Sequence, residues 1–410
     1  MNAVPPESTV SSKPALPLGE FVALMALLTS LVALSIDAML PALPEIGRDL
    51  LAGDVNNNQL VVSVLFFGLA LGLFLYGPLS DSIGRKPAVF IGMGIFIAGC
   101  LLAIFATDFR TMLLGRLLQG IGLGAPRVVA IALIRDLYEG AAMARVMSFI
   151  TTLFIAVPMV APALGQGILL VSDWRMIFWV ILLLGVVSLC WFAIRQPETL
   201  PPSRRAPFSP RCLGAAAREV FANRIALGYT LAAGAIFSAF LAYLSTVQQI
   251  FQQQYALANW FPLIFAGLAF AVGSASYLNG RLVMRLGMQW IVRRSLLLLA
   301  GVSLLFLAPA HYFAGHPPLW LLLAYLAVAL FCAGLLFGNI NALAMEPLGH
   351  IAGMGAAVVG SLSTLMSLPV GIAIARVYAG SVMPIVAGFA VGAIVTLLLV
   401  NWAERGRPTP

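Results

Sequence analysis

Charged residues are scarce in this chain. Only 9% of its 410 residues are Asp, Glu, Lys or Arg, whereas 61% are hydrophobic and the mean hydropathy is +1.01. A single soluble core cannot bury that much apolar surface, so lipid must cover most of it. The composition therefore indicates an integral membrane protein.

Residues that build metal, redox or hydrolytic sites are also few. The chain contains three histidines and four cysteines, and no two cysteines have CxxC spacing. A membrane enzyme would need such residues or acids in a cluster, so we predict neither an enzyme nor a metal site. No Walker sequence occurs. The closely spaced glycines of two apolar runs allow close helix approach rather than phosphate binding, namely Gly92, Gly94, Gly99, Gly115, Gly120, Gly122 and Gly124. We expect no cofactor, and an ion gradient rather than ATP as the energy source.

The charges that are present are distributed unevenly. The net charge is +8, and when the loops are assigned to alternating sides of a membrane, seventeen basic residues fall on one side and four on the other. Because positive residues in short loops resist translocation, we predict a bacterial inner-membrane protein with both termini in the cytoplasm and no nucleic-acid partner. The segment Met1–Pro17 lacks the features of a secretory signal, so the first apolar run is expected to remain a permanent span.

Apolar runs of about 20 residues, the length that crosses a hydrocarbon core of roughly 30 Å, occur twelve times. The sequence therefore predicts an all-α membrane protein with twelve transmembrane helices in two six-helix bundles. The predicted spans are Leu18–Leu43, Asn58–Ser80, Ala88–Ala106, Thr111–Arg135, Val146–Leu170, Trp174–Arg195, Ile225–Gln248, Trp260–Arg281, Ile291–Tyr312, Leu319–Ala344, Gly353–Tyr378 and Val382–Ala403.

A Pro- and Arg-rich break divides the chain into halves. The predicted order is a cytoplasmic tail (1–17), a first bundle (18–195), a cytoplasmic linker (196–223), a second bundle (224–403) and a cytoplasmic tail (404–410). A weak repeat supports this division, since Gly77–Gly84 has an echo in Gly280–Gly287, where Met284 replaces Asp81. Parallel halves of this kind place the substrate of a transporter at their interface, near the bilayer midplane.

Four motifs resemble the major facilitator superfamily, and in particular its twelve-helix drug:proton antiporters of the Bcr/CflA-like branch. They are the loop Gly77–Pro87, the acidic, proline-terminated helix end Ser35–Pro44, the arginine motif Leu114–Gly122 and the helix 5 antiporter motif with Pro158, Pro162 and Gly165. Ala161 and Gln166 stand where the helix 5 pattern prefers glycine. The resemblance implies the major facilitator fold and implicates Arg116 in proton coupling.

Asp37 and Arg116 are the candidates for proton coupling. Asp37 follows a charge-free run in the first span, and a buried carboxylate can be neutral in one transporter state and charged in another. Arg116 needs a buried acceptor or a water-filled cavity. The alternatives are an interfacial acid at a helix end for Asp37, and an arginine that reaches outward to lipid headgroups for Arg116.

A second buried arginine indicates the cargo. Arg127 lies eleven residues after Arg116, about three helical turns, and therefore on the same face and roughly 16 Å deeper. It would attract an anionic or polar group; a structural pair is the alternative. The second half has no charged residue from Ile225 to Gly280, so its predicted cargo contacts are aromatic or amide side chains, namely Phe237, Phe240, Tyr243, Asn339 and Asn341.

The loop between the second and third spans is predicted to act as a conformational latch. Gly77, Asp81, Gly84 and Arg85 belong to it, with Asp81 near the N-terminus of a neighbouring helix and Arg85 paired with an acid such as Asp136. The alternative is an ordinary solvated turn.

Together these features predict a proton-coupled secondary transporter that exports small amphiphilic compounds by alternating access. Drug efflux of neutral, zwitterionic or acidic cargo is the expected role, and a dedicated exporter of an endogenous metabolite or siderophore is the alternative. The expected partners are the small-molecule substrate, protons and the lipid bilayer, and the protein is expected to be a monomer. A receptor would need a substantial soluble domain, and the sequence has none.

Overall fold

The computed structural model describes residues 16–205 and 209–406, and its regular elements in those ranges are all helical. The first half comprises α1 (Leu18–Asp37), α2 (Leu43–Asp49), α3 (Leu60–Ile83), α4 (Arg85–Ile104), α5 (Phe109–Leu137), α6 (Gly140–Leu169) and α7 (Trp174–Arg195). Helix α8 (Pro210–Ala222) lies between the halves. The second half comprises α9 (Arg224–Gln248), α10 (Phe261–Leu286), α11 (Met288–Tyr312), α12 (Leu319–Met345), α13 (Ala352–Arg376) and α14 (Met383–Glu404).

Twelve helical segments of the described ranges are long and apolar enough to cross a membrane. Helices α2 and α8 are too short to do so alone. The predicted twelve-helix membrane fold is therefore confirmed, and the chain is a multi-pass membrane protein. The two halves meet mainly where α3 packs on α13 and α6 packs on α10.

Several predicted helix ends differ from the observed ones. The first span is predicted to continue to Leu43, but α1 ends at Asp37 and a 3₁₀ turn, Leu40–Ala42, leads into α2. Pro41 and Pro44 cause this break because neither can donate a helical hydrogen bond. Other helices are longer than predicted, since polar end residues outside the apolar run still continue the helix.

The predicted linker 196–223 contains a helix that the prediction did not include. Helix α8 is amphipathic, with Ala216 and Val220 buried and Arg218 exposed. Glu219 Oε1 lies 2.7 Å from Nε2 of His350, just before α13. The predicted tails at 1–17 and 404–410 fall largely on residues 1–15 and 407–410, which lie outside the described residues, as do linker residues 206–208.

Helices α3 and α5 approach so closely that their backbones touch. A Cβ atom added at Gly120 would lie 2.1 Å from the carbonyl oxygen of Leu65, and one at Gly68 would lie 2.2 Å from that of Leu117. Lipid tails are as apolar as the helix surfaces, so association depends on such close van der Waals packing. This contact holds α5, which carries Arg116 and Arg127, against α3.

We expect Gly120→Ala to lower the thermal unfolding midpoint of the purified protein in detergent. The added methyl group meets backbone atoms that cannot rotate away, and overpacking of this kind costs about 1–3 kcal/mol. Gly94→Ala is the matched control, because nothing lies within 4 Å of a Cβ atom at Gly94. Equal midpoints for the two variants would contradict the proposed tight contact.

Candidate functional site

A cavity of about 830 Å³ lies between the two halves. Helices α1, α3, α5 and α6 and the first residue of α4 line it from the first half, and α9, α10, α12 and α13 line it from the second. Most of the lining is apolar. Its charged residues are three arginines and two aspartates, namely Arg85, Arg127, Arg135, Asp37 and Asp81.

Asp37 reaches the cavity from the last residue of α1. Its side chain is 5% exposed, and it has no hydrogen bond or ion pair among residues 16–205 and 209–406. Tyr243 of the second half lines the same cavity within electrostatic range of Asp37. Gly165 of the helix 5 motif packs on the backbone oxygen of Ala38, directly after Asp37. The cavity therefore contains an acid without a partner, beside the packed end of α1.

Two residues of the helix 5 motif accompany this packing. Pro158 lines the cavity, and Pro162 is buried one turn further along α6. Gly165 follows at the point where α6 crosses the end of α1. The motif thus connects the cavity wall with the backbone next to Asp37.

Arg116 is fully buried and does not line the cavity. Its guanidinium donates to the carbonyl oxygen of Ser35 at 2.7 Å, to that of Val61 at 3.0 Å, and to Oε1 of Gln119 at 2.6 Å. The alternative of an arginine that reaches lipid headgroups is therefore excluded. Arg116 makes no direct pair with Asp37. It holds the backbone of α1 at Ser35, two residues before Asp37.

Arg127 faces the cavity. Its side chain is exposed although it lies inside the bundle, because the accessible surface belongs to the cavity. Its guanidinium carbon lies 5.8 Å from the ring centroid of Phe154. Arg127 forms no ion pair in the described part of the chain. A mid-membrane cation is thus presented to whatever occupies the cavity.

An aromatic wall faces this cation from the second half. Phe237, Phe240 and Tyr243 all line the cavity as predicted. The ring centroid of Phe337 lies 5.1 Å from that of Phe240, and the centroid of Phe66 lies 5.6 Å from that of Phe237. Sequence reasoning missed Phe66 and Phe337. Phe337 lies one turn before the predicted Asn341, which was a usable signal, whereas Phe66 is one of many apolar residues in its run.

The two predicted asparagines of α12 are separated by the helix geometry. Asn341 lines the cavity, but Asn339 does not, and its Nδ2 donates to Oδ1 of Asn279 at 2.7 Å. Residues two positions apart lie about 200° apart around a helix, so both cannot face one cavity. The expectation of a cargo contact at Asn339 is corrected to a contact between α10 and α12.

The loop predicted as a latch forms an ion-pair network around a buried arginine. Arg85 is 3% exposed; its Nη1 lies 2.5 Å from Oδ1 of Asp81 and its Nε lies 3.1 Å from Oδ2 of Asp136. An ordinary solvated turn is therefore excluded. Gly84 makes the turn with φ = 110°, a conformation that favours glycine.

The same loop also touches the second half. Oδ2 of Asp81 lies 4.0 Å from the position of a Cβ atom at Gly353, in the first turn of α13, as expected for an acid near a helix N-terminus. A Cβ atom at Gly77 would lie 3.1 Å from Cβ of Ala357. Gly77 therefore allows α3 to approach α13 one turn from the ion pairs. We call the end of the bundle with Asp81, Arg85 and Asp136 the latch end.

Glu198 is a member of this network that sequence reasoning missed. Its two carboxylate oxygens accept from the backbone N–H groups of Arg85 and Lys86, each at 3.0 Å. Thr199 Oγ1 donates to Oδ2 of Asp136 at 3.0 Å. Glu198 is one of two acids in residues 196–223, and that rarity was the available signal. The start of the linker thus caps α4 and closes the network.

The opposite end of the bundle is held by uncharged amides. Gln59 Nε2 donates to Oε1 of Gln249 at 2.8 Å and to the carbonyl oxygen of Ala375 at 3.1 Å. Asn56 Nδ2 donates to the carbonyl oxygen of Tyr378 at 3.1 Å. These bonds join the first half to the second, and none of the five residues lines the cavity. The cavity thus reaches the latch end and stops short of this amide end.

Two packed bundles that enclose such a cavity, with charged residues of membrane-spanning segments facing it, form the architecture of a secondary transporter. The family model described as Major Facilitator Superfamily matches residues 25–371. The chain belongs to that superfamily.

The relatives place it with the drug transporters of the superfamily, which confirms the resemblance to the Bcr/CflA-like branch. It is 30% identical to an uncharacterized MFS-type transporter, YdgK, of Bacillus subtilis over 84% of this chain and 85% of the relative. It is 28% identical to the bicyclomycin resistance protein homolog of Haemophilus influenzae, with 93% and 95% covered. It is also 28% identical to the multidrug resistance protein MdtL of Escherichia coli, with 91% and 93% covered.

Solved structures agree on the fold. The human organic anion transporter MFSD10 (TETRAN) superposes with a TM-score of 0.70 at 22% identity, covering 95% of this chain and 100% of that one. The peptide transporter POT, in complex with sulfate, superposes with a TM-score of 0.74 at 12% identity and 98% coverage of each chain.

We expect Glu198→Ala to lower the thermal unfolding midpoint in detergent, because α4 loses an anionic cap on two backbone N–H groups, worth about 1–2 kcal/mol. Glu139→Ala is the matched control, since Glu139 precedes α6 but its side chain makes no capping hydrogen bond. If both variants unfold at the wild-type temperature, the cap does not contribute to stability.

Proposed function

We propose that this protein exports small amphiphilic compounds across the bacterial inner membrane in exchange for protons, by alternating access. The observation that carries the proposal is the unpaired Asp37 in a cavity that both halves share. The names of the relatives support drug efflux in particular, since one is a bicyclomycin resistance protein homolog and another a multidrug resistance protein.

The cavity wall supports a cargo with an aromatic or aliphatic body. A volume of about 830 Å³ lies within the range of drug-sized sites, about 300–1,000 Å³. Phe237, Phe240 and Phe337 offer ring faces and edges rather than directional polar groups, which suits several ligands of differing shape. We therefore expect the protein to accept several compounds of differing shape.

The charges of the cavity support neutral, zwitterionic or acidic cargo. Three arginines face two aspartates among the lining residues, and Arg127 has no acid to offset it. A lipophilic cation would gain little in such a field. Arg127 equally favours the second candidate, a dedicated exporter of an acidic endogenous metabolite or siderophore.

Proton coupling is assigned to Asp37, with Arg116 as a positioning residue. A charged carboxylate without a partner is costly at this depth, so proton binding stabilises the state in which Asp37 is enclosed. Arg116 holds the carbonyl of Ser35 and thereby keeps the end of α1 in place. A change of charge at Asp37 is transmitted to Tyr243 of the other half, across the interface that must open and close.

The distribution of basic residues supports a cytoplasmic latch end. The described conformation is then accessible from the cytoplasm and closed on the outer side by the Gln59, Gln249 and Asn56 bonds. Export requires these neutral hydrogen bonds to break while the cavity closes toward the cytoplasm. The approach of Asp81 to the N-terminus of α13 is already present in the described conformation. Net hydrogen bonds of about 0.5–1.5 kcal/mol each can be exchanged in this way without a large barrier.

Asp37→Asn is expected to abolish uptake driven by a pH gradient in inverted membrane vesicles, because the amide cannot exchange a proton. Binding of a fluorescent substrate in detergent should persist, since the amide keeps the shape of the side chain. Glu139→Gln, at an exposed position, is the control and should transport like the wild type. Full gradient-driven uptake by Asp37→Asn would remove Asp37 from the coupling mechanism.

Arg127→Ala is expected to weaken transport of acidic cargo by about tenfold, the loss of one charged hydrogen bond, and to affect neutral cargo of similar size less. Initial uptake rates over a concentration series measure the difference. Arg110→Ala, at an exposed position in the first turn of α5, controls for the lost charge. Equal losses for acidic and neutral cargo would contradict direct recognition by Arg127.

A compound screen separates the two candidate functions. Cells that overexpress the protein are grown with structurally unrelated drugs, and their medium is analysed for excreted metabolites. Drug efflux predicts raised tolerance to several unrelated compounds. Unchanged tolerance together with one accumulating acid in the medium would support the dedicated exporter instead.

A further inference from the structure

The turn between α10 and α11 carries a group of arginines to which the proposed transport mechanism assigns no role. Arg281 and Arg285 end α10, and Arg293 and Arg294 lie near the start of α11. All four side chains are exposed. None of them forms an ion pair with another residue of 16–205 or 209–406. We call these four residues the arginine corner.

In the equivalent turn of the first half, both basic side chains bind partners in the same half. Arg85 is held between Asp81 and Asp136, and Lys86 Nζ donates to the carbonyl oxygen of Ala193 at 2.7 Å. In the second half Met284 occupies the position of Asp81 and is 85% exposed. The two turns therefore share a sequence pattern, but within the described residues the arginines of the second turn have no carboxylate partner, whereas Arg85 of the first has two.

The four arginines all lie within about two helical turns of the connection between α10 and α11. Gly287, with φ = 78°, joins the two helices in a tight turn. Arg281 and Arg293 are each six residues from it, which is about 9 Å along either helix axis. Arg281 and Arg285 are four residues apart and share one face of α10. The corner thus gathers four exposed positive charges within about 11 Å, along the helix axes, of one helix connection.

Aromatic and apolar side chains border this surface. Tyr277 is 68% exposed, and its hydroxyl accepts from Arg281 Nη2 at 2.7 Å while its ring centroid lies 4.9 Å from the guanidinium carbon. Trp290 is 48% exposed, and its ring lies 5.6 Å from the guanidinium of Arg294. Exposed Tyr and Trp side chains mark the level of lipid headgroups in membrane proteins.

We propose that the arginine corner binds the phosphate headgroup of an anionic phospholipid. Guanidinium groups offer paired donors that match phosphate oxygens, and stacking on Tyr277 and Trp290 leaves their other edges free. Exposed Met284 and the neighbouring rings offer apolar surface to an acyl chain, which a soluble phosphate would not use. A basic pocket beside membrane helices on the cytoplasmic side is a recognised type of anionic lipid site.

The wild-type protein provides the first test. It is purified in detergent, mixed with equal amounts of phosphatidylglycerol and phosphatidylcholine, and examined by native mass spectrometry for retained lipid. Preferential retention of phosphatidylglycerol, resistant to an excess of inorganic phosphate, is expected. Equal retention of the two lipids, or complete displacement by inorganic phosphate, would overturn the proposal.

A matched pair of double variants locates the site. Arg281→Gln/Arg285→Gln is expected to lower phosphatidylglycerol retention on the order of tenfold, since each basic residue contributes to binding. Arg48→Gln/Arg110→Gln removes the same charge from exposed positions at the amide end and should retain lipid like the wild type. Thermal unfolding of each variant verifies its fold. Equal retention in both pairs, or equal loss in both, contradicts a site at the arginine corner.

Discussion

The cost of an unneutralised charge inside a lipid-covered protein determines how this structure is arranged. Arg116, Asp37 and Arg127 meet that cost in three different ways. Arg116 is surrounded by acceptors of its own protein and becomes part of the scaffold. Among the described residues Asp37 and Arg127 have no such partners, and both instead face the cavity, where water or a bound molecule can stabilise their charge. A buried charge with protein partners therefore belongs to the scaffold, whereas one that faces the cavity belongs to the candidate site.

The two ends of the bundle are held by different chemistry. At the latch end, Arg85 is enclosed by carboxylates and Glu198 caps α4. Those contacts lie mostly within the first half and its linker, so they stabilise one bundle rather than the junction. At the amide end, neutral hydrogen bonds connect the two halves. A rigid charged network inside one bundle and weak neutral bonds between bundles suit rigid-body movement of the halves.

The sequence motifs predicted the contacts of some residues better than those of others. The motif around Arg85 predicted its pairing with Asp136 because both residues belong to short, charged helix ends with few other partners available. The motif around Arg116 identified a buried arginine, but its acceptors are backbone carbonyls, which carry no residue-specific signal. Glu198 was missed because its role depends on the path of the linker back to α4. Asn339 and Asn341 were both predicted to face the cavity, but residues two positions apart lie on different sides of a helix, and only Asn341 faces it.

Hydropathy and charge by themselves determined the twelve spans and their grouping into halves. A span must be apolar along its whole length because lipid surrounds it, and that requirement is local and visible in consecutive residues. Which helices touch, and which faces line the cavity, was decided only by the tertiary structure. Contacts between equally apolar helices depend on shape, as at Gly120 against Leu65, and lipid selects no face over another. The same reason explains why the sequence did not indicate Phe66 and Phe337 as cavity-lining residues, since their position depends on how the two bundles pack together.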